Sequence, residues 1–215
     1  MDCFTNEAGA VIVDNMISAL QEHKDYLSEI DGKIGDGDHG INMNKGFSLC
    51  AKRLTGKENL SRAMETLGDI LLTEIGGSMG PIYGSFFEGM SAATADAEII
   101  DKKTFGEMLS AGLAGIRELV PTTVGDKTLL DALIPAVDAY HSAVTAGDSF
   151  EAALDKTAAA AEAGKDATKN MIAKVGRASR LGERSRGVLD AGAASCALII
   201  NSLCKTSKNL LGGIN

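Results

Sequence analysis

Apolar residues return at helical spacing through almost the whole chain, and this periodicity restricts the fold more than any other feature. Eight segments can be drawn at about 6–29, 41–54, 59–72, 81–96, 104–119, 128–146, 149–173 and 191–205. The first carries Val11, Ile12, Met16, Ile17 and Leu20 as its apolar stripe. Strand signals are weak: Glu98-Ile99-Ile100 is too short, and residues 194–203 are Ala-rich and suit a buried helix. The Ala run at 158–163 reads as an exposed helix rather than a linker. Composition agrees, because 3 Pro, 3 Tyr, 6 Phe and no Trp leave little to build a β-sandwich or barrel. With no internal repeat, charge block or Pro-rich hinge, the expectation is one all-α domain over residues 1–215.

Charge and hydropathy exclude several classes of function. Against 29 Asp and Glu stand 21 Lys and Arg, a net charge of −8, where a general nucleic-acid binder needs a basic surface. No run of about 18 apolar residues is present to span a bilayer. The first residues contain Asp2 and Glu7 with no basic start, unlike a secretory signal. A cytoplasmic protein with no nucleic-acid or membrane partner is expected. Cys3, Cys50, Cys196 and Cys204 lack Cys-x-x-Cys spacing and His neighbours, so they are read as reduced thiols packed as small hydrophobes. Met64, Met90 and Met108 are read as core filler.

The 25 Gly are unusual for a helical protein, and most that helix ends do not explain fall into four loops at 31–40, 76–84, 124–128 and 176–192. In an up-and-down bundle the connections alternate between the two ends. These four follow the first, third, fifth and seventh segments, so all are expected at one rim, where function is expected too.

The first loop reads Asp31-Gly-Lys-Ile-Gly-Asp36-Gly-Asp38-His39-Gly40. Three close carboxylates repel one another unless protons, water or cations offset the charge, and hard cations such as Mg²⁺ favour oxygen ligands. Gly35, Gly37 and Gly40 formally match a dinucleotide fingerprint, but no strand precedes them and two Asp lie where pyrophosphate would approach. An EF-hand fits poorly, since Lys33, Gly35 and Asn42 stand at its third, fifth and twelfth positions. A solvated acidic turn is the plain alternative. A metal–phosphate site accounts for more, because the acids run directly into a helix N-terminus that can receive an anion.

The segment from Ile34 to Phe47, with 76–84, Gly125-Asp-Lys-Thr128 and 176–193 in the same order, resembles the nucleotide-binding L module of the dihydroxyacetone kinases. The resemblance covers nearly the whole chain. It implies a barrel of eight antiparallel helices with the nucleotide at one rim. Asp31, Asp36 and Asp38 would bind two Mg²⁺ ions bridging the phosphates of ADP or ATP. His39, Gly40, Ile41 and Asn42 would lie against phosphate or metal-bound water, with Ser78 and Met79 offering backbone amides. Thr128 and Leu129 would stand beside the nucleotide, Leu129 against adenine. Gly176 and Arg177 would lie on the phosphate side, Arg177 stabilising transferred charge as the catalytic group. Asp190, Ala191 and Gly192 would border base and ribose. The chain departs from the family pattern in placing Ser78 before Met79 and in having Ala191 where Pro is usual. Glu183, Arg184 and Arg186 are read as a lid network or solvated surface rather than as groups that perform chemistry.

The implied function is that of a kinase subunit transferring the γ-phosphoryl group to dihydroxyacetone held by a separate K subunit. The metal motif begins about 30 residues into the chain, which leaves no room for a K module before it. An M subunit of the phosphotransferase system would rephosphorylate the bound ADP. Two alternatives carry the same loops: an ATP-exchanging subunit of a tetrulose kinase, and a nucleotide-loaded regulatory module without turnover.

Overall fold

The computed structural model describes residues 2–211; Met1 and residues 212–215 of the expected domain lie outside them. Among the described residues are nine α-helices: α1 Ala10–Glu22, α2 Lys24–Ile34, α3 His39–Arg53, α4 Leu60–Glu74, α5 Met79–Thr94, α6 Lys102–Leu119, α7 Leu130–Thr145, α8 Phe150–Ala167 and α9 Ala191–Leu210. The all-α expectation holds. Helices α1 and α3 to α9 form a ring, each packed on its neighbours in that order, and α9 closes it against α1. Helix α2 continues α1 at a bend and packs on α3 and α9.

That bend corrects the reading of 6–29 as one helix. His23 leaves helical geometry at φ −98°, ψ 11°; its backbone N–H donates to the Ala19 carbonyl at 3.2 Å, and its Nδ1 lies 2.8 Å from the same oxygen. The helix expected over 149–173 is also shorter, passing after Ala167 into a 3₁₀ turn at Thr168–Asn170. A further correction concerns strands. Cys3–Thr5 (β1) and Ile99–Asp101 (β2) form an antiparallel ribbon with Phe4 opposite Ile100. Length alone argued against 98–100, but a long-range partner supplies the ladder that three residues cannot make by themselves.

The ribbon lies at the rim away from the glycine loops. Beside it the buried Asn6 amide lies 2.9 Å from both Ser61 Oγ and the Thr94 carbonyl and 2.8 Å from that of Ala97. At this rim the helices cap themselves. Asn59 accepts from Arg62 N at 2.9 Å, Asp101 from Thr104 N at 2.8 Å and Ser149 from Ala152 N at 3.1 Å, at the starts of α4, α6 and α8. Such caps contribute about 1 kcal/mol each.

Between the rims the ring is filled by aliphatic and aromatic side chains. Phe47 and Phe86 pack edge-on against Phe87, with centroids 6.0 and 5.2 Å away, and Phe105 stands 5.2 Å from Tyr140 and 5.4 Å from Phe150. Met64, Met90 and Met108 are buried in the same core, and the four cysteines are free and buried. Of the Ala run at 158–163, Ala161 is buried against the core, so the run is not the wholly exposed face expected of it.

Candidate functional site

The starts of α3, α5, α7 and α9 meet at the other rim and surround a cleft of about 540 Å³. In contrast to the far rim, the side chains of the N-cap residues of α3, α5 and α7 (Asp38, Ser78 and Leu129) accept no backbone N–H of their own helix. Positive helix ends with amide donors left over therefore face one space. Helix α9 is capped there by Asp190, which accepts from Ala193 N at 2.7 Å, and at the start of α7 the Leu130 N–H donates to Thr128 Oγ1 at 3.2 Å.

Asp31 comes from the last turn of α2, and Asp36 and Asp38 from the short connection to α3. One carboxylate oxygen from each lies within 4.8 Å of the others. Asp31 also accepts from the His39 backbone N–H at 3.3 Å, which folds the connection back over the end of α2. Three close oxygen donors of the hard type fit a divalent cation such as Mg²⁺. Across the cleft, the Arg177 guanidinium pairs with Asp36.

Asn42, Met79, Thr128, Gly176, Ala191 and Gly192 line the cleft together with Asp31, Asp36, Asp38, His39, Ser78, Leu129, Arg177 and Asp190. Two residues expected beside phosphate, Gly40 and Ile41, are not among those lining the cleft. Ile41, between the cleft-lining His39 and Asn42, points its apolar side chain to solvent, 54% exposed. Gly40 is buried against α2, where a Cβ would lie 2.0 Å from the Lys24 carbonyl oxygen. Its lack of a side chain lets α2 and α3 approach closely, which brings Asp31 to the start of α3.

Burial sets the unusual protonation here. His39 is pushed down to about 4 by burial, which outweighs the attraction of Asp31 for the protonated ring. Asp190 is pushed up to about 7, first by burial; the Ala193 N–H opposes this, and the Asp131 and Asp31 charges add to it.

Sequence reasoning did not assign roles to Lys127, Asp131, Tyr83 and Ser195. Lys127 has a left-handed backbone at φ 63° and a side chain only 2% exposed. Its ammonium donates to the carbonyls of Ser185 at 2.6 Å, Val188 at 2.7 Å and Met171 at 3.3 Å, pinning the 176–192 segment to the loop before α7. Burial holds it below the ordinary lysine range. Asp131 is buried beneath that loop and accepts from Gly125 N at 2.5 Å and Thr128 N at 2.7 Å. The Asp three residues after Thr128 was a readable turn signal, whereas the carbonyl partners of Lys127 are too distant in sequence to be read. Arg186 pairs with Glu183 at 3.1 Å and donates to the Asn170 carbonyl at 2.5 Å, both contacts on the exposed surface of the segment.

Residues 33–205 match the DAK2 domain. The chain belongs to the DAK2 family. This DAK2 chain is 42% identical over 189 residues to the ADP-binding subunit DhaL of PEP-dependent dihydroxyacetone kinase 1 of Listeria innocua, covering 87% of this chain and 89% of that one. It is 33% identical over 186 residues to the ADP-binding subunit DhaL of the PEP-dependent enzyme of Escherichia coli, covering 86% and 89%. Among solved structures, the DAK2 fold superposes on the dihydroxyacetone kinase of C. freundii with a TM-score of 0.69 at 26% identity, over 91% of this chain and 34% of that one.

Proposed function

We propose that this chain is the ADP-binding subunit of a phosphoenolpyruvate-dependent dihydroxyacetone kinase, forming one nucleotide-binding unit over residues 1–215 and working in the cytoplasm. The observation that carries this reading is the pairing of three clustered carboxylates with uncapped helix starts around one cleft. Carboxylates alone would repel phosphates, and helix starts alone would not select a metal-bound nucleotide. Together they suit one whose cations bind the acids and whose phosphates meet the amides.

On this reading Asp31, Asp36 and Asp38 hold two Mg²⁺ ions. When bound, the ions supply neutralisation of phosphate charge. The backbone at 39–42 and 78–79 orients the phosphates, although Gly40 and Ile41 do so through main chain at most, given where their side-chain positions lie. Thr128 and Leu129 offer an apolar and hydroxyl surface to the base, and Asp190, Ala191 and Gly192 border base and ribose. Arg177 exchanges its pairing with Asp36 for the transferred phosphoryl group, and the segment behind it limits water access. Catalysis is then positioning and charge neutralisation, with no covalent intermediate on the chain.

The substrate side is assigned to partners: a K subunit that holds dihydroxyacetone, and an M subunit of the phosphotransferase system that rephosphorylates the bound ADP. The names of the Listeria and Escherichia relatives support this division. The test loads the purified chain with labelled ADP, chases with excess unlabelled ATP, and assays phosphoryl transfer with K alone and with K plus the phosphoenolpyruvate-driven subunits. Retained label, with transfer only in the phosphoenolpyruvate chain, is expected. Rapid loss of label with sustained ATP-driven turnover would overturn the fixed-ADP reading.

A further inference from the structure

The loop that brings Thr128 and Leu129 to the cleft is held in a form that its own sequence disfavours. Gly125 and Lys127 have left-handed backbones at φ 93° and 63°, and among the described residues Lys127 is the one non-glycine with a positive φ. A side chain opposes that conformation, which persists where the surroundings fix it. Packing at Gly125 does not do so: an added Cβ would find its nearest neighbour, Lys174 Nζ, 3.9 Å away. Two buried charged side chains hold the loop instead.

Asp131, the second residue of α7, is 1% exposed. A capping carboxylate accepts from N–H groups inside its own helix. This one turns back out of the helix. Its Oδ1 accepts from Gly125 N at 2.5 Å and its Oδ2 from Thr128 N at 2.7 Å, so one carboxylate brackets Asp126 and Lys127 from both sides. The second hold is the Lys127 ammonium, fixed by the carbonyls of Met171, Ser185 and Val188. Thr128 and Leu129 follow directly in the chain, and both line the cleft. None of these hydrogen bonds involves Asp31, Asp36, Asp38 or the starts of α3 and α5.

We propose that Asp131, together with Lys127, is a positioning residue that fixes the 125–129 loop and so sets the affinity of the cleft for the base half of a nucleotide, independently of its phosphate and cation half. This rests on the function proposed above, which puts the base against Thr128 and Leu129 and the phosphates against the starts of α3 and α5. Asp131 acts without touching the ligand. In Asp131→Asn one carboxylate oxygen becomes an amino group facing the N–H of Gly125 or Thr128, so a bond is lost and two donors oppose each other. Gly125→Ala disturbs the same hydrogen bond from its other end, because a Cβ there has room but opposes the φ of 93°. Since both variants release one loop form, the second should add little once the first is made.

The test is titration calorimetry of Mg-ADP, and of Mg-pyrophosphate as a ligand without a base, into the full chain stripped of nucleotide. Wild type, Asp131→Asn, Gly125→Ala and the double variant are compared. Each single variant should lose roughly tenfold in Mg-ADP affinity and stay within about twofold of wild type for Mg-pyrophosphate. The double variant should lose far less than the roughly hundredfold of two independent effects. Parallel losses for both ligands overturn the proposal, as do unchanged Mg-ADP affinity in a folded single variant or fully additive losses in the double. A wild type that binds Mg-ADP but has no measurable site for pyrophosphate also overturns it, because the two halves would not be separable. If Asp131→Asn does not fold, Gly125→Ala alone decides between a selective and a parallel loss. A wild type that binds neither ligand refutes the nucleotide reading and this inference with it, whereas the other contrary results leave that reading standing.

Discussion

The Lys127 ammonium donates to the Ser185 carbonyl at 2.6 Å across 58 positions of sequence, a buried cation set into the backbone of the segment that covers the cleft. The same ammonium reaches Val188 and Met171, so one side chain satisfies three carbonyls that water would otherwise have to serve. Lys127→Met keeps much of the side-chain volume and removes every donor. It should lower stability by about 1–3 kcal/mol and loosen the backbone around the exposed Arg177, Arg180 and Arg184 enough for trypsin to cut there before the helices open. Faster release of bound ADP should accompany this. Wild-type resistance to limited tryptic cleavage would contradict the role given to Lys127.

Two glycines of neighbouring sequence should respond oppositely to alanine. At Gly40 a Cβ would meet the Lys24 carbonyl at 2.0 Å and Ser28 Oγ at 2.6 Å, so α2 and α3 must separate. The cost should reach about 1–3 kcal/mol or more, and Asp31 should move away from the start of α3, weakening cation binding. At Gly32, inside α2, the nearest atom to an added Cβ is 3.9 Å away. Gly32→Ala should therefore gain about 0.5–1 kcal/mol from the restricted unfolded chain. Thermal unfolding of both variants checks the pair, and a Gly40→Ala chain as stable as wild type would contradict the close packing.

Buried Asp190 and His39 tilt the pH dependence of stability in opposite directions. Asp190 titrates near 3.8 when unfolded and about 7 when folded, so the folded state binds more protons between those values and this contribution falls as pH rises. His39 titrates near 6.5 when unfolded and about 4 when folded, so its contribution is present above the upper value and is lost as pH falls. Denaturant unfolding in chelator at about pH 4, 5.5 and 7, a window spanned by both shifts, reads the two slopes. Asp190→Asn should gain stability more steeply with pH than wild type, and His39→Gln less steeply. Parallel profiles for all three chains would refute both assignments.

How much of this was legible in the sequence depends on the range of the interaction. Helical periodicity and the alternation of loops located the rim, because both are local or follow from connection order. The Asp31, Asp36 and Asp38 loop was readable since its ligands lie within one short segment. The break at His23 was not, because the apolar stripe continues across it from Leu20 to Leu27 and Ile30, all buried. The β1–β2 ribbon depends on a partner more than 90 residues away, as with Phe4 and Ile100, and no local pattern reports that. Gly40 sat inside a phosphate-binding motif, yet its position serves the contact between α2 and α3, a distinction that needs the backbone of Lys24 in place. The hydrogen bonds that join Ser195 Oγ to the Tyr83 hydroxyl at 2.6 Å and to His39 Nε2 at 2.8 Å draw one residue from each of three helices and leave no spacing to read.

The central claim is that the acidic loop and the helix starts bind a metal-complexed nucleotide as one site. Titration calorimetry of Mg-ADP into the wild-type chain stripped of nucleotide, and into Asp36→Ala and Asp38→Ala, tests it most directly. The wild type should bind tightly and lose binding when Mg²⁺ is withheld. Both variants should lose at least roughly 100-fold in affinity, as expected when a charged ligand to the cation is removed, while their metal-free melting temperatures stay level or rise with the relief of carboxylate repulsion. Unchanged Mg-ADP affinity in both variants, with the fold intact, would contradict the account.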